Sequence, residues 1–248
     1  MLIQSADHAG GVRVLRLDRP PANAINVELL AALASAVSDC ERDASVRAVV
    51  LTGNGRFFSA GLDLKEMAAN GPGELADLGG GRDGLYRLWR LGKPTIAMVN
   101  GHAIAGGAIL ALACDFRIAA RAALKIGLTE TAIGLPFPNG AYQITRACLT
   151  DAQARTVLLE ADTFDPPRAR ELGLIDEVVE PGELESCCLE RARKLGAFVT
   201  QAYAYNKRAL QAPADHLIHH PPGSASDAFA RAVASPETRE LLFRGVQR

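Results

Sequence analysis

The stretch "GGAILALACDF", residues 106–116, sets two glycines in front of an apolar run that ends in Cys-Asp. It lies inside "KPTIAMVNGHAIAGGAILALACDFRIAA", residues 93–120, nearly all apolar yet interrupted by Asn100, Gly101 and His102. The run from Thr95 to Cys114 approaches the length of a membrane span. Asn100, His102 and three glycines sit within it, however, and Pro94 and Asp115 close it. It reads instead as a buried strand, a turn of bare backbone and a buried helix. That unit belongs to an α/β fold, and strands alternate with helices on either side of it.

Before it, "GVRVLRLDRP" (11–20) alternates as a first strand that stops at Pro20, and "VRAVVLTG" (46–53) is a β-branched buried strand stopped by Gly53. Between them Leu30, Leu33, Ala34 and Val37 recur at helical spacing behind Asn26, a cap. "LYRLWRL" (85–91) is a short helix, and 69–84, rich in Gly and Asp, reads as a loop. Behind it, "DFRIAA" (115–120), "ALKIGL" (123–128) and "LIDEVVE" (174–180) are strands. "DAQARTVLLE" (151–160), "PPRARELG" (166–173) and "LESCCLERARKLGAFV" (184–199) are helices. Beyond Leu195 the pattern is helical and amphipathic, broken at "HHPPGS" (219–224). Residues 1–195 thus form the α/β core and 196–248 a C-terminal helical region that serves as lid or partner surface.

Composition narrows the class. The 248 residues are 48% hydrophobic but only 5% aromatic, which favours aliphatic helices packed on a sheet. The formal net charge is −1 with scattered Lys and Arg, against a nucleic-acid partner. Five cysteines (Cys40, Cys114, Cys148, Cys187, Cys188) lack CxxC spacing, and "MLIQSADHAGG" has no sustained apolar core. Reduced thiols, a cytoplasmic location and no membrane association are the expectation. His216, His219 and His220 read as a solvated helix end rather than a metal site. The chain lacks GxGxxG and GxSxG, so dinucleotide-binding and serine-hydrolase readings fail.

Three segments combine small residues with a loop-to-helix transition: "FFSAGLDLKEM" (57–67), "GHAIAGGAIL" (101–110) and "GLTETAIGLPFP" (127–138). Small residues let a ligand reach the backbone, and free N–H groups favour developing negative charge. With "LDRPPANAIN" before them and "ARELGLIDEVV" after them, these motifs resemble, in order, those of the crotonase superfamily of enoyl-CoA hydratases and isomerases. The resemblance runs from about Val12 to Lys207.

That resemblance implies a spiral of ββα turns, a C-terminal trimerisation region, and homotrimers or hexamers. It implies an acyl-CoA thioester as substrate, with no metal and no separate cofactor. The family's oxyanion hole, two backbone N–H groups on the thioester oxygen, maps to Leu62 and Gly106. Its CoA-binding edges map to Ala22, Ala24, Ala60 and Leu62, with Asp63 beside them. Lys65 is a phosphate contact or a solvated lysine, and His102 a pocket wall or loop hydrogen-bonder. In "LLFRGVQR" (241–248) no residue is assigned to the CoA phosphate.

Hydratases of this family hold a water between two glutamates. Glu130 matches the second, but the first falls on Ile109, which can neither take a proton nor hold a water. Δ3-Δ2-enoyl-CoA isomerases of the family are similar, with one glutamate facing the oxyanion hole and an apolar residue opposite. Pro138, eight residues after Glu130, departs from the dienoyl-CoA isomerases, which place an acid there. Isomerisation of a 3-enoyl-CoA to a 2-enoyl-CoA is therefore the expected reaction. A 2-enoyl-CoA hydratase and an inactive acyl-CoA-binding homologue are the alternatives, and Glu130 as a mere helix cap is the structural one.

Overall fold

A computed structural model describes residues 1–66, 84–221, 223 and 225–246. Two sheets organise it. The larger has the order β1 (Ile3–His8), β2 (Val12–Leu17), β3 (Ala48–Gly53), β5 (Thr95–Val99), β7 (Phe116–Ala120) and β10 (Glu177–Val179). The smaller has the order β4 (Phe57–Ser59), β6 (His102–Ile104), β8 (Ile126–Gly127) and β9 (Thr163–Phe164). β3, β5 and β7 each feed the next short strand, β4, β6 and β8, and these strands pair parallel from turn to turn in each sheet, while β9 adds to β8 antiparallel. The chain therefore climbs as the expected spiral, one long strand and one short strand per turn.

The central strands are apolar because both faces are covered. Every residue of β3 and of β5 is buried. On one side lies α1 (Val27–Arg42), whose Leu29, Leu30, Leu33 and Val37 are buried. Asn26 caps it as expected, its Oδ1 accepting the Leu29 N–H at 2.9 Å. α2 (Gly84–Arg90) packs against α1, and α3 (Gly106–Leu112) is buried almost throughout. Next come α4 (Asn139–Cys148), α5 (Asp151–Arg155), α6 (Pro166–Glu171) and α7 (Leu184–Gly196).

β1 has no counterpart in the sequence reading. Its six residues, IQSADH, bury only Ile3. An edge strand that pairs antiparallel with β2 and otherwise faces solvent carries no apolar alternation to detect. The expected loop over 69–84 lies outside the described residues except for Gly84, which opens α2 rather than closing the loop.

The C-terminal region is helical, with α8 (Thr200–His219), α9 (Ala225–Ala234) and α10 (Pro236–Val246). α8 is anchored in the core by charge. Lys207 Nζ meets Asp115 at 2.8 Å, the lysine side chain being 7% exposed, and the Tyr203 hydroxyl donates to the same carboxylate. α9 and α10 build a separate small core of Leu135, Phe229, Val233 and Leu242. His219 is engaged by Asp215 and Tyr86, while His216 and His220 stack on each other. No helix among the described residues is long and apolar enough to cross a membrane.

Candidate active site

The two glycines at 106 and 107 are bare for different reasons. A Cβ on Gly107 would lie 2.1 Å from the Ser59 carbonyl oxygen, so α3 seats directly on β4. Gly107→Ala is accordingly expected to lower stability by about 1–3 kcal/mol. An unchanged thermal midpoint would show that α3 shifts freely. A Cβ on Gly106 would meet the flexible Ile25 Cδ1 at 3.3 Å and, at ordinary contact distances of 3.5 and 3.6 Å, the Gly61 Cα and the Leu62 nitrogen. This side is where the backbone stays open.

Across from it, the loop after β4 runs beside residues 22–25. The Ile25 N–H donates to the Gly61 carbonyl at 2.7 Å, and the Asp63 N–H to the Ile25 carbonyl at 2.8 Å. In such a parallel bridge the intervening Leu62 turns its own N–H to the other side, towards α3. Gly61 allows the close approach: its φ is +84°, and a Cβ there would stand 2.8 Å from the Ile104 carbonyl oxygen and 3.0 Å from the Gly106 nitrogen. Ala105, at φ +53°, turns the chain so that α3 starts facing this loop. No acceptor among the described residues takes the N–H of Leu62 or Gly106.

Both residues line one narrow cavity of about 50 Å³, with Glu130, Ile109, Ile25, Leu30, Leu85, Leu110, Pro138, Ala141 and Phe229. Glu130 is its one titratable side chain among the described residues. It is 6% exposed, and its Oε2 is buried without a hydrogen-bond partner. It precedes the 3₁₀ turn Thr131–Ile133 but makes no side-chain cap, which removes the capping alternative. Burial pushes its carboxyl up to about 7, against its own and Thr129's backbone N–H groups, which lower it. Ile109, 4% exposed, stands one helical turn after Gly106 in the same wall.

The remaining expected residues serve the frame. The Ala60 N–H donates to the Ala22 carbonyl at 3.0 Å, and the Ala24 carbonyl accepts from Arg19. The Asp63 carboxylate pairs with Arg19 at 2.7 Å and accepts the N–H groups of Lys65 and Glu66. It starts the next helical turn rather than facing the cavity. The Lys65 side chain is exposed. His102 is placed away from the cavity. It stacks on Phe57 and its Nδ1 accepts the Lys125 N–H at 3.0 Å, so it is a loop hydrogen-bonder and not a pocket wall. Burial, with Arg56 and Lys125 nearby, lowers its pKa. Trp89 belongs to the core, and neither it nor Tyr86 lines the Glu130 cavity.

As lining residues, sequence reasoning missed Leu30, Leu85, Leu110, Ala141 and above all Phe229, whereas Pro138 was singled out by its motif position. The first four are ordinary core residues by pattern. Phe229 reaches the site only because the chain returns from about a hundred residues downstream, and no local signal announces that. A larger cavity of about 620 Å³ lies under α8, between Trp89, Asp115, Cys148 and Lys207. It holds none of the expected site residues, and its size reflects the open groove beside α8 rather than chemistry.

Known proteins place this architecture in a class. Residues 7–238 match the sequence model of the enoyl-CoA hydratase/isomerase family. The chain belongs to that family, within the crotonase superfamily. Among curated relatives it is 30% identical over 247 residues to a short-chain-enoyl-CoA hydratase of Clostridium acetobutylicum, covering 96% of this chain and 92% of that one. Among solved structures it superimposes on human mitochondrial delta3-delta2-enoyl-CoA isomerase with a TM-score of 0.91 at 28% identity, over 100% of this chain and 98% of that one. A Mycobacterium tuberculosis protein, described in one solved structure as an enoyl-CoA isomerase and in another as a probable enoyl-CoA hydratase, gives in the former a TM-score of 0.82 at 33% identity, over 93% and 98%.

Proposed function

We propose that this enzyme shifts the double bond of a 3-enoyl-CoA to the 2-position. One observation carries the reading: Glu130 is the sole titratable side chain lining the cavity among the described residues, and the position across α3 is Ile109. The ionised Glu130 takes a proton from C2, and the electrons move onto the thioester oxygen. The N–H groups of Leu62 and Gly106 stabilise the resulting dienolate, by about 3–4 kcal/mol per donor in comparable sites. Protonated Glu130 then returns the proton at C4, and the carboxylate is regenerated. The sequence of steps is balanced without a metal or redox group. A carboxyl near 7 suits both halves, since it must ionise to abstract and protonate to deliver. The apolar lining supports this by keeping water from the dienolate.

Ala22, Ala24, Ala60 and Lys65, in the segments that flank Leu62, are assigned to the CoA moiety by their motif positions. The exposed apolar residues Phe198, Val199, Tyr205, Leu210 and Leu217, before and along α8, support assembly into a trimer or hexamer.

The hydratase relative of Clostridium acetobutylicum keeps hydration of a 2-enoyl-CoA as the competing reading. The test runs the wild type and Ile109→Glu side by side on both substrates. Formation of the 2-enoyl thioester raises ultraviolet absorbance, and hydration lowers it. We expect the wild type to raise absorbance with 3-enoyl-CoA and to leave 2-enoyl-CoA nearly untouched. Ile109→Glu is expected to gain hydration by about tenfold over that background, at reduced stability, because a lone carboxylate is costly in an apolar wall. Brisk hydration by the wild type would restore the hydratase. Binding of acyl-CoA without turnover of either substrate would make the chain an inactive homologue.

A further inference from the structure

Neither oxyanion donor is held by a hydrogen bond of its own, so something else must fix their relative position. The common support is Ser59, whose side chain is fully buried. Its hydroxyl donates to the Asn23 carbonyl at 2.7 Å and accepts the Gly61 N–H at 3.2 Å, the peptide immediately before the one bearing the Leu62 N–H. Its main-chain carbonyl is the surface on which Gly107 rests, one residue after the Gly106 donor. A single residue thus touches the segments that carry both donors.

Asn23 completes the support. It is 1% exposed, with φ +51°, and its Nδ2 donates to the carbonyls of Asn54, Phe57 and Phe58 at 3.0, 2.9 and 3.3 Å. The Arg19 N–H donates to its Oδ1 at 3.0 Å. Asn23 is therefore pinned to β4 on the far side of the Ser59 hydroxyl, and that hydroxyl is its side-chain link to the oxyanion loop, beside the backbone bonds of Ala22 and Ile25 to the same loop.

We propose that Ser59 is a positioning residue of this enzyme. Its hydroxyl, locked between Asn23 and Gly61, sets the direction of the Leu62 N–H relative to that of Gly106. The inference rests on the oxyanion-hole reading given above. Donors aimed at the transition state contribute only when their geometry is fixed in advance. The loss of this hydroxyl should therefore be felt in kcat more than in KM. It should also weaken the polarisation of a bound thioester carbonyl.

The probe is hexanoyl-CoA labelled with carbon-13 at the thioester carbonyl, a saturated thioester that the enzyme cannot isomerise or hydrate. Its carbonyl stretch is read by difference infrared spectroscopy on wild type, Ser59→Ala and Ser59→Cys. In the wild type the stretch is expected to fall well below its value in water. In Ser59→Ala that fall is expected to shrink by half or more, with kcat on the isomerised substrate down about tenfold and KM within about twofold. The thiol of Ser59→Cys fills the site and makes weaker hydrogen bonds, so both readouts are expected between the other two. It also carries the test if the alanine variant does not fold. A wild-type carbonyl stretch equal to that in water would refute the oxyanion hole itself. A strong wild-type shift that either folded variant reproduces in full, with wild-type kcat, would leave the hole standing and overturn the role of Ser59.

Discussion

Glu130→Gln is expected to reduce isomerisation by about a thousandfold or more while leaving acyl-CoA affinity nearly unchanged. The amide keeps the shape of the side chain but cannot take or return a proton, and the described residues of the cavity offer no substitute. The wild type should show kcat/KM rising with pH through about 7, because the ionised carboxylate is the form that abstracts. A second consequence separates this account from a structural one. The folded-state value of Glu130 lies above the unfolded value of 4.5, so this carboxyl contributes stability that is complete below about pH 4.5 and lost as pH rises through about 7. Above pH 7 the native state holds an unpaired buried charge. Glutamine removes it, so the inactive variant is expected to be more stable than wild type at pH 8, by up to about 3 kcal/mol less whatever its own unpaired amide costs. At pH 4 that gain should disappear, leaving only the cost of the unpaired amide. Urea melts at the two pH values, beside single-turnover kinetics, check both halves. Near-normal turnover by the variant would remove Glu130 from the chemistry, and equal stability at pH 8 would deny the buried charge.

The parts of the fold written in short-range pattern were legible in the sequence. β3 and β5 are continuous apolar runs because they are covered on both faces, and Asn26 stands where a helix needs an acceptor. The site was legible wherever its chemistry falls on backbone: Gly61, Gly106 and Gly107 mark places where two chains approach too closely for a side chain. Glu130 and Ile109 were read from motif position, and the structure brings them into one cavity. Other features were invisible for physical reasons. β1 is an edge strand without alternation, and Phe229 joins the cavity through long-range packing. His102 sits beside the oxyanion turn in sequence. On the short strand β6, however, side chains alternate between faces, and His102 falls on the side of Phe57 and Lys125. Asp63 was misplaced for a similar reason, since a carboxylate just ahead of a helical turn is drawn to that turn's N–H groups.

Gly106→Pro is expected to lower kcat by about a hundredfold to a thousandfold, the size of the loss when one oxyanion donor is removed elsewhere. The position in the helix favours this substitution. Gly106 is the first residue of α3, the helical position where proline is best tolerated because its missing N–H has no helical acceptor. The residue before a proline is pushed to extended backbone, whereas Ala105 sits at φ 53° and ψ −128°, so this junction must adjust to take the ring. A Cβ here meets the flexible end of Ile25 at 3.3 Å and the backbone of Gly61 and Leu62 at 3.5 and 3.6 Å. Circular dichroism of the proline variant checks that α3 still forms. Gly106→Ala is the companion variant, because it adds the same Cβ and keeps the N–H. If the donor is what matters, alanine should retain most of the activity and proline almost none. Equal losses in both would assign the glycine to ligand access instead, and full activity in a folded proline variant would leave Leu62 to stabilise the enolate alone.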